Sequence, residues 1–520
     1  MGHRLWALGV VGWGLAFGFL SHGLGYAGPL RIGLAPSAEK LRLMCPEGTV
    51  VKGGVLAGTG EVALGGGQWL LVGSGRAIVT SPKTEFSVVS SEADRDLILK
   101  AAEQLRKRGE NAYLEERESG TILCVSGLAE EEEAEKVKKG LPAELRDGAE
   151  VVVEREWAVS GNLALGKKDE RVLLVPAAGK EASAGASKGF RAGWVCGSGP
   201  SVEAGHGVFR GEMEICRVEG GLRLVNLVGM EDYLKGVVPY EMPWRFAPEA
   251  LKAQAIAART YALESIARHR KDGFDLCAGQ HCQVYGGMEA ESEATSRAVE
   301  ETRGLVMRQG EKLVPAFFHS TCGGYTEDAA SVWKGAESSL RGTTDCSAGE
   351  PADAMDKEEG ASHFLNEPPD AFCSHSPLFR WKRTYSREEL QERLGSGLGD
   401  LVSIRVKSRT RTGRVSQLAV KGTKGEKVFG GQEIRSLFGE RPSKGLPSTF
   451  FSVSEVRSDS TGSKGGDQVD SFVFTGAGWG HGVGMCQYGA DGMARRGYDF
   501  KGILSHYYGR FDLRDMNATP

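Results

Sequence analysis

The chain has no basic excess: 64 Lys and Arg stand against 68 Asp and Glu, for a formal net charge of -4. A nucleic-acid partner is therefore not indicated, because nothing offsets its phosphate charge. No His-Glu-x-x-His helix is present, which argues against a zinc peptidase of that type. The segment with glycines at 478, 480, 482, 484 and 489 lacks the Lys-Ser/Thr ending of a phosphate loop. Charge is also missing near the start, where Arg4 is followed by apolar Leu5 to Leu20 and no charged side chain returns before Arg31. That pattern predicts an export segment over 1–27, cleaved near Gly25-Tyr26-Ala27 or kept as a membrane anchor; cleavage is the favoured reading.

What is present describes an ordinary soluble globular protein, with 40% hydrophobic and 25% charged residues. Its 520 residues exceed a single core and suggest about three units. Cysteines at 45, 124, 196, 216, 277, 282, 322, 346, 373 and 486 are candidates for disulfides in an exported chain. Gly-punctuated extended segments predict a small β unit over 28–82. Over 83–155 a strand at Phe86 to Val89 precedes a helix carrying Leu97, Leu99, Ala101, Ala102 and Leu105. A strand at Ala112 to Leu114, a strand at Thr121 to Val125 and a helix at Glu130 to Lys139 follow. This β-α-β-β-α order predicts a small sheet with both helices on one face. It resembles SPOR domains, which bind peptidoglycan; a plain α+β spacer fits the same order. The region 156–189 holds the flexible tract Pro176 to Gly189, read as a linker. The remaining 190–520 form one large α+β domain with insertions near 335–380 and 457–468.

In that last domain a carboxylate, Glu241, sits between Pro239 and Pro243. Both prolines restrict the backbone, which predicts a stiff, non-helical loop around it. Pro248 to Arg268 then reads as a long Ala-rich helix with a proline in its first turn. Lys252 and Arg259, two turns apart, share a face of it; spacing alone favours a solvated basic pair.

Four motifs carry a family resemblance: GVVPYEMPWRFAPEALKAQAIAARTYAL around Glu241, HCQVYGG at His281 to Gly287, AFFHSTCGGYTEDA at Ala316 to Ala329, and GWGHGVGMCQYGADGMA at Gly478 to Ala494. Over roughly Phe209 to Phe511 the chain resembles the stage II sporulation protein D and LytB (SpoIID/LytB) family. The resemblance implies that Glu241 is a catalytic acid and that Lys252 and Arg259 support the site. It also implies that His319, Ser320, Thr321 and Tyr325 contact substrate. His481 and Gln487 read as polar contacts, and Trp479 and Tyr488 as sugar-stacking or core aromatics.

Chemistry agrees with that casting. Cleaving a glycosidic bond requires protonation of the leaving oxygen, so the donor carboxyl must stay protonated near neutral pH, as apolar neighbours such as Met242, Trp244 and Phe246 favour. A hydrolase adds a second carboxylate about 5 to 9.5 Å away. A lytic transglycosylase instead uses the sugar's own 6-hydroxyl and forms a 1,6-anhydro end, for which one carboxylate suffices. The expected function is thus cleavage of peptidoglycan glycan strands at the cell wall, as in sporulation septum remodelling. The alternative is a non-catalytic, wall-binding amidase enhancer with a cell-wall amidase as partner.

His269, Cys277, His281 and Cys282 form a compact soft-ligand set suited to one structural zinc ion, as some members of the resembling family hold hereabouts. A disulfide from Cys277 or Cys282 to Cys322 or another cysteine is the competing reading. Cys346 and Cys373 are placed to bridge the excursion between Gly335 and Trp381.

Overall fold

The computed structural model describes residues 29–38, 40–44, 49–52, 61–64, 69–73, 76–89, 95–108, 111–117, 120–128, 131–147, 149–163, 171–175, 190–196, 203–218, 221–333, 335, 340–347, 349, 354–394, 396–431, 433–439, 445–457 and 469–518. The expected export segment, the tract 176–189 and the insertion at 458–467 lie outside these residues. The chain divides into two compact units: Ile32–Leu227, and Val228–Pro520 with the described residues before Ile32. Both mix helices with β-sheets, an α+β architecture.

In the first unit, β1 (Arg76–Val89), α1 (Arg95–Lys107), β2 (Asn111–Arg117), β3 (Gly120–Leu128), α2 (Glu131–Lys139) and β4 (Glu150–Leu163) follow one another. β1 lies between β3 and β4 and β3 pairs with β2, all antiparallel, so the order across the sheet is β4-β1-β3-β2. Ile98, Ala101, Ala102 and Leu105 of α1 pack with Ala134 and Val137 of α2 on Leu123 and Val125 of β3. Ile98 rather than Leu99 leads that stripe; Leu99 is exposed, because 98, 101, 102 and 105 keep helical spacing and 99 falls on the far side.

The second unit is built around two helices. α3 spans Met230–Glu241 and α4 Pro248–Glu264. Glu241 is therefore the last residue of a helix and does not ride on a loop. Burial of Val237 and Val238 overrides the preference that Pro239 imposes on its predecessor, and a proline's fixed φ is itself helical. Pro243 acts as expected: Met242 before it is extended (φ -137, ψ 129), which ends α3 directly after Glu241.

α4 carries Pro248 at its first position. Ala253, Ala255, Ala257, Ala258 and Ala262 are all fully buried, so the small side chains let neighbours approach on every side. It packs against α3, α5 (Glu293–Glu301), α6 (Gln487–Arg495) and α7 (Phe500–Tyr508). It stops at Glu264, short of Arg268, and Ala267 adopts the left-handed conformation at φ 68. A separate core gathers Trp381, Leu418, Phe438, Phe451, Phe472 and Phe474 between two three-stranded sheets.

Candidate functional site

The C-terminus of α3 presents Glu241 to two other motifs. Its Oε1 accepts the Val284 backbone N–H at 3.2 Å, and the Gln487 side chain also hydrogen-bonds to it. Burial raises its carboxyl above the usual range, with the Val284 N–H and the Gln487 amide pulling partly the other way. Gln487 opens α6, whose first turn is capped by Cys486 Sγ accepting from Gly489 N–H. Gln487 Nε2 donates in turn to Gln254 Oε1 of α4 at 3.4 Å, and Gln254 is fully buried with its own Nε2 unpartnered. A carboxyl and two amides thus meet from three chain segments.

The ring of Tyr240 lies over Gly286, where any Cβ would overlap it. Tyr285 packs likewise against Gly236 and pairs with Tyr233 at 5.1 Å between ring centres. The Tyr233 hydroxyl donates to Gln283 Oε1, which fixes the segment carrying Val284. Around Glu241 the expected apolar neighbours divide: Met242 and Phe246 are buried, whereas Trp244 is 64% and Tyr240 55% exposed. Those two exposed rings flank the carboxyl in sequence.

The basic pair separates. Arg259 is fully buried, donating to both oxygens of Glu231 and to the carbonyls of Leu305 and Val299. From there it ties α3 and α4 together, with its guanidinium turned away from solvent. Lys252 sits at the surface between Glu249 and Glu301, at 2.9 and 2.8 Å.

Phe318–His319 pairs in parallel with Met485–Cys486, and Thr321 bridges Trp479. This pairing buries His319, Thr321 and Tyr325 and leaves Ser320 half-buried, so the first three support the segment and do not line an open face. Tyr325 accepts from Arg411 Nη1 at 2.9 Å. His319 Nδ1 lies 3.1 Å from the Val483 carbonyl, His481 Nδ1 accepts the Val483 N–H at 3.0 Å, and the two rings lie 5.6 Å apart. Burial lowers both imidazoles, His319 to about 3. Trp479 is 39% exposed, and Tyr488 packs edge-on against Phe246.

The four soft donors converge. One ligand atom from each of His269, Cys277, His281 and Cys282 lies within 4.8 Å of the others. His269 Nε2 is 3.2 Å from His281 Nδ1, and Cys277 and Cys282 Sγ lie 3.9 and 3.7 Å from the same atom. Asp272 Oδ2, 2.7 Å from His269 Nδ1, orients that ring as carboxylates do behind metal-bound imidazoles. Two sulfurs and two nitrogens at this spacing suit a tetrahedral divalent ion. Cysteines 277, 282, 322, 346, 373 and 486 are free thiols, so Cys346 and Cys373 form no bridge; Cys373 lies against Cys322 instead.

Sequence reasoning missed Gln254 and the Val284 N–H. A long amide in the Ala-rich run of α4 was the one signal available for the first. The second depends on a contact between segments far apart in the chain.

A family model for stage II sporulation protein matches residues 218–308, the stretch holding Glu241, Lys252 and the four soft donors. A domain of unknown function (DUF8618) matches 327–484. The chain belongs to the stage II sporulation protein D and LytB (SpoIID/LytB) family. It is similar to stage II sporulation protein D of Bacillus amyloliquefaciens, 30% identical over 311 residues, covering 56% of this chain and 76% of that protein. An uncharacterized protein of Brachyspira hyodysenteriae is 30% identical over 300 residues, covering 57% and 69%. A protein named amidase enhancer, from Bacillus subtilis strain 168, is 29% identical over 304 residues, covering 53% and 39%.

Proposed function

We propose that this chain is a peptidoglycan lytic transglycosylase acting in cell-wall remodelling or sporulation, with Glu241 as the general acid. The observation that carries the reading is the environment of Glu241: a half-buried carboxyl, raised by burial and held by a backbone N–H and an amide, with exposed aromatic residues one position before and three after it in the chain. A carboxyl in such a setting keeps its proton at a pH where an exposed one has lost it. It protonates the glycosidic oxygen between N-acetylmuramic acid and N-acetylglucosamine, so that the anomeric C–O bond breaks and N-acetylglucosamine leaves as the alcohol; the resulting carboxylate takes the proton of the N-acetylmuramic acid 6-hydroxyl as that oxygen bonds to the anomeric carbon. Tyr240 and Trp244 stack against sugar rings, and Gln487 holds the carboxyl in place. The substrate is an extracytoplasmic glycan, which puts the protein at the cell wall; among the described residues no helix is long and apolar enough to cross a membrane.

His269, Cys277, His281 and Cys282 hold one zinc ion in this reading. A four-ligand site supplies no open position for chemistry, so the ion fastens the end of α4 to the segment bearing Val284.

The test is digestion of glycan strands stripped of stem peptides, followed by mass spectrometry. The wild type is expected to release 1,6-anhydro ends and Glu241→Gln to release none while keeping its circular dichroism. The resemblance to a protein named amidase enhancer favours a second reading, a wall-bound partner of an amidase. That reading is supported if the wild type releases no product yet both forms accelerate a purified cell-wall amidase equally.

A further inference from the structure

A second cluster lies among the described residues, away from the His269 quartet in sequence. Cys322, Asp345, Cys373 and Cys486 are all buried, and one ligand atom from each lies within 4.8 Å of the others. Cys322 Sγ is 3.6 Å from Cys373 Sγ and 3.4 Å from Asp345 Oδ2. Tetrahedral zinc with bonds of about 2.3 Å to sulfur spaces its sulfurs about 3.8 Å apart, close to what these side chains already provide.

The surroundings are arranged for charge on those atoms. The Cys322 N–H donates to Cys486 Sγ, the Gly489 N–H to the same sulfur, and the Gly324 N–H to Cys322 Sγ, at 3.2, 3.2 and 3.3 Å. Amide donors onto sulfur stabilise thiolates. The Tyr507 hydroxyl donates to Asp345 Oδ1 at 2.6 Å, which turns Oδ2 toward the thiols. Three thiolates, one carboxylate and one divalent ion leave two negative charges in the interior, which need partners. Two guanidiniums supply them. Arg414 is fully buried with Nε and Nη1 unpartnered, and it acts electrostatically on Glu327 and on all three cysteines; Arg380 acts on Cys322 and Cys373.

We propose that Cys322, Cys373, Cys486 and Asp345 bind a single zinc-class divalent ion in a closed, structural site distinct from the His269 quartet. Soft sulfur donors select such an ion, and a compact set suits one ion better than a multi-iron cluster. The ion joins four chain segments: the His319 segment, the two ends of the 335–380 excursion, and the entry to α6, which carries Gln487. It also protects thiols that would otherwise oxidise outside the cytoplasm.

The experiment is elemental analysis of the full chain purified from zinc-supplemented medium without chelator, with zinc X-ray absorption on the same sample. The wild type is expected to carry two ions per chain with a sulfur average above two per ion. Cys277→Ser/Cys282→Ser is expected to keep one ion with three sulfur donors and no imidazole. The proposal is overturned if the wild type carries one ion with two sulfurs and two imidazoles, or if peptide mapping under non-reducing conditions finds a disulfide among Cys322, Cys373 and Cys486. Should the double variant not fold, the wild-type stoichiometry and sulfur count decide alone.

Discussion

Arg259 meets Glu231 through two parallel contacts, Nε to Oε1 at 2.9 Å and Nη2 to Oε2 at 2.6 Å, with both side chains buried. Glu231 Oε1 also accepts the Gly304 N–H. The pair locks the start of α3 to the middle of α4, and α3 ends on Glu241. Removing one partner strands a charge in the interior, so Arg259→Ala is expected to cost about 3–5 kcal/mol in urea unfolding. Arg259→Lys is expected to recover only part of this, since an ammonium cannot reproduce the fork. The joint change Arg259→Met/Glu231→Leu is expected to be more stable than either single change, which separates a structural pair from a sugar contact.

The raised carboxyl of Glu241 sets a pH signature. Its proton is the reactive species, so activity is expected to fall as pH rises through the folded-state value, which lies above the usual glutamate range. His319 and His481, both pushed low by burial, stay neutral across that window and contribute no limb of their own. Glu241→Gln is expected to lower the rate by about 100- to 10,000-fold.

Stability is expected to move the same way. A carboxyl raised in the folded state binds its proton more tightly there than in the unfolded chain, so wild-type stability declines as pH rises from the unfolded toward the folded value. Glu241→Gln lacks that decline. Its melting temperature is expected to exceed the wild type's increasingly across this window, as thermal scans at several pH values would read; an equal offset at every pH would refute the burial argument.

Two glycines are expected to answer differently to alanine. At Gly286 the added methyl collides with the Tyr240 ring, an exposed side chain free to swing away, so the fold is kept while glycan cleavage weakens. At Gly484, with φ 71, the methyl meets the Phe317 carbonyl, which already accepts from Met485 N–H and the Tyr508 hydroxyl. Neither backbone has room to give. A loss of about 3 kcal/mol or more is expected, measured by urea unfolding.

For the His269 quartet, Asp272→Ala is expected to weaken zinc binding about 10- to 100-fold, because the imidazole loses the carboxylate that orients it. Competition with a chromophoric chelator measures the change. Full removal of the ion is expected to lower the melting temperature.

Residues close together in the chain were enough to mark the candidate site. The proline pair around Glu241, the Pro-initiated Ala-rich helix, the His-Cys spacing over 269–282 and the Gly-rich motif at 478–494 each express a local rule of backbone or ligand chemistry, legible without coordinates of any neighbour. The β-α-β-β-α order of the first unit was legible for the same reason, since amphipathic spacing reports which face a helix buries. What tertiary structure decided are matters of partnership across long separations. It made Glu241 the end of a helix, because buried valines outweighed a preference of Pro239. It buried Arg259, whose partner Glu231 is 28 residues away. It brought Gln487 and Val284 to one carboxyl, and it gathered Cys322, Asp345, Cys373 and Cys486 from segments whose spacing carries no ligand pattern. Local periodicity fixes which way a side chain faces; only packing fixes what it faces.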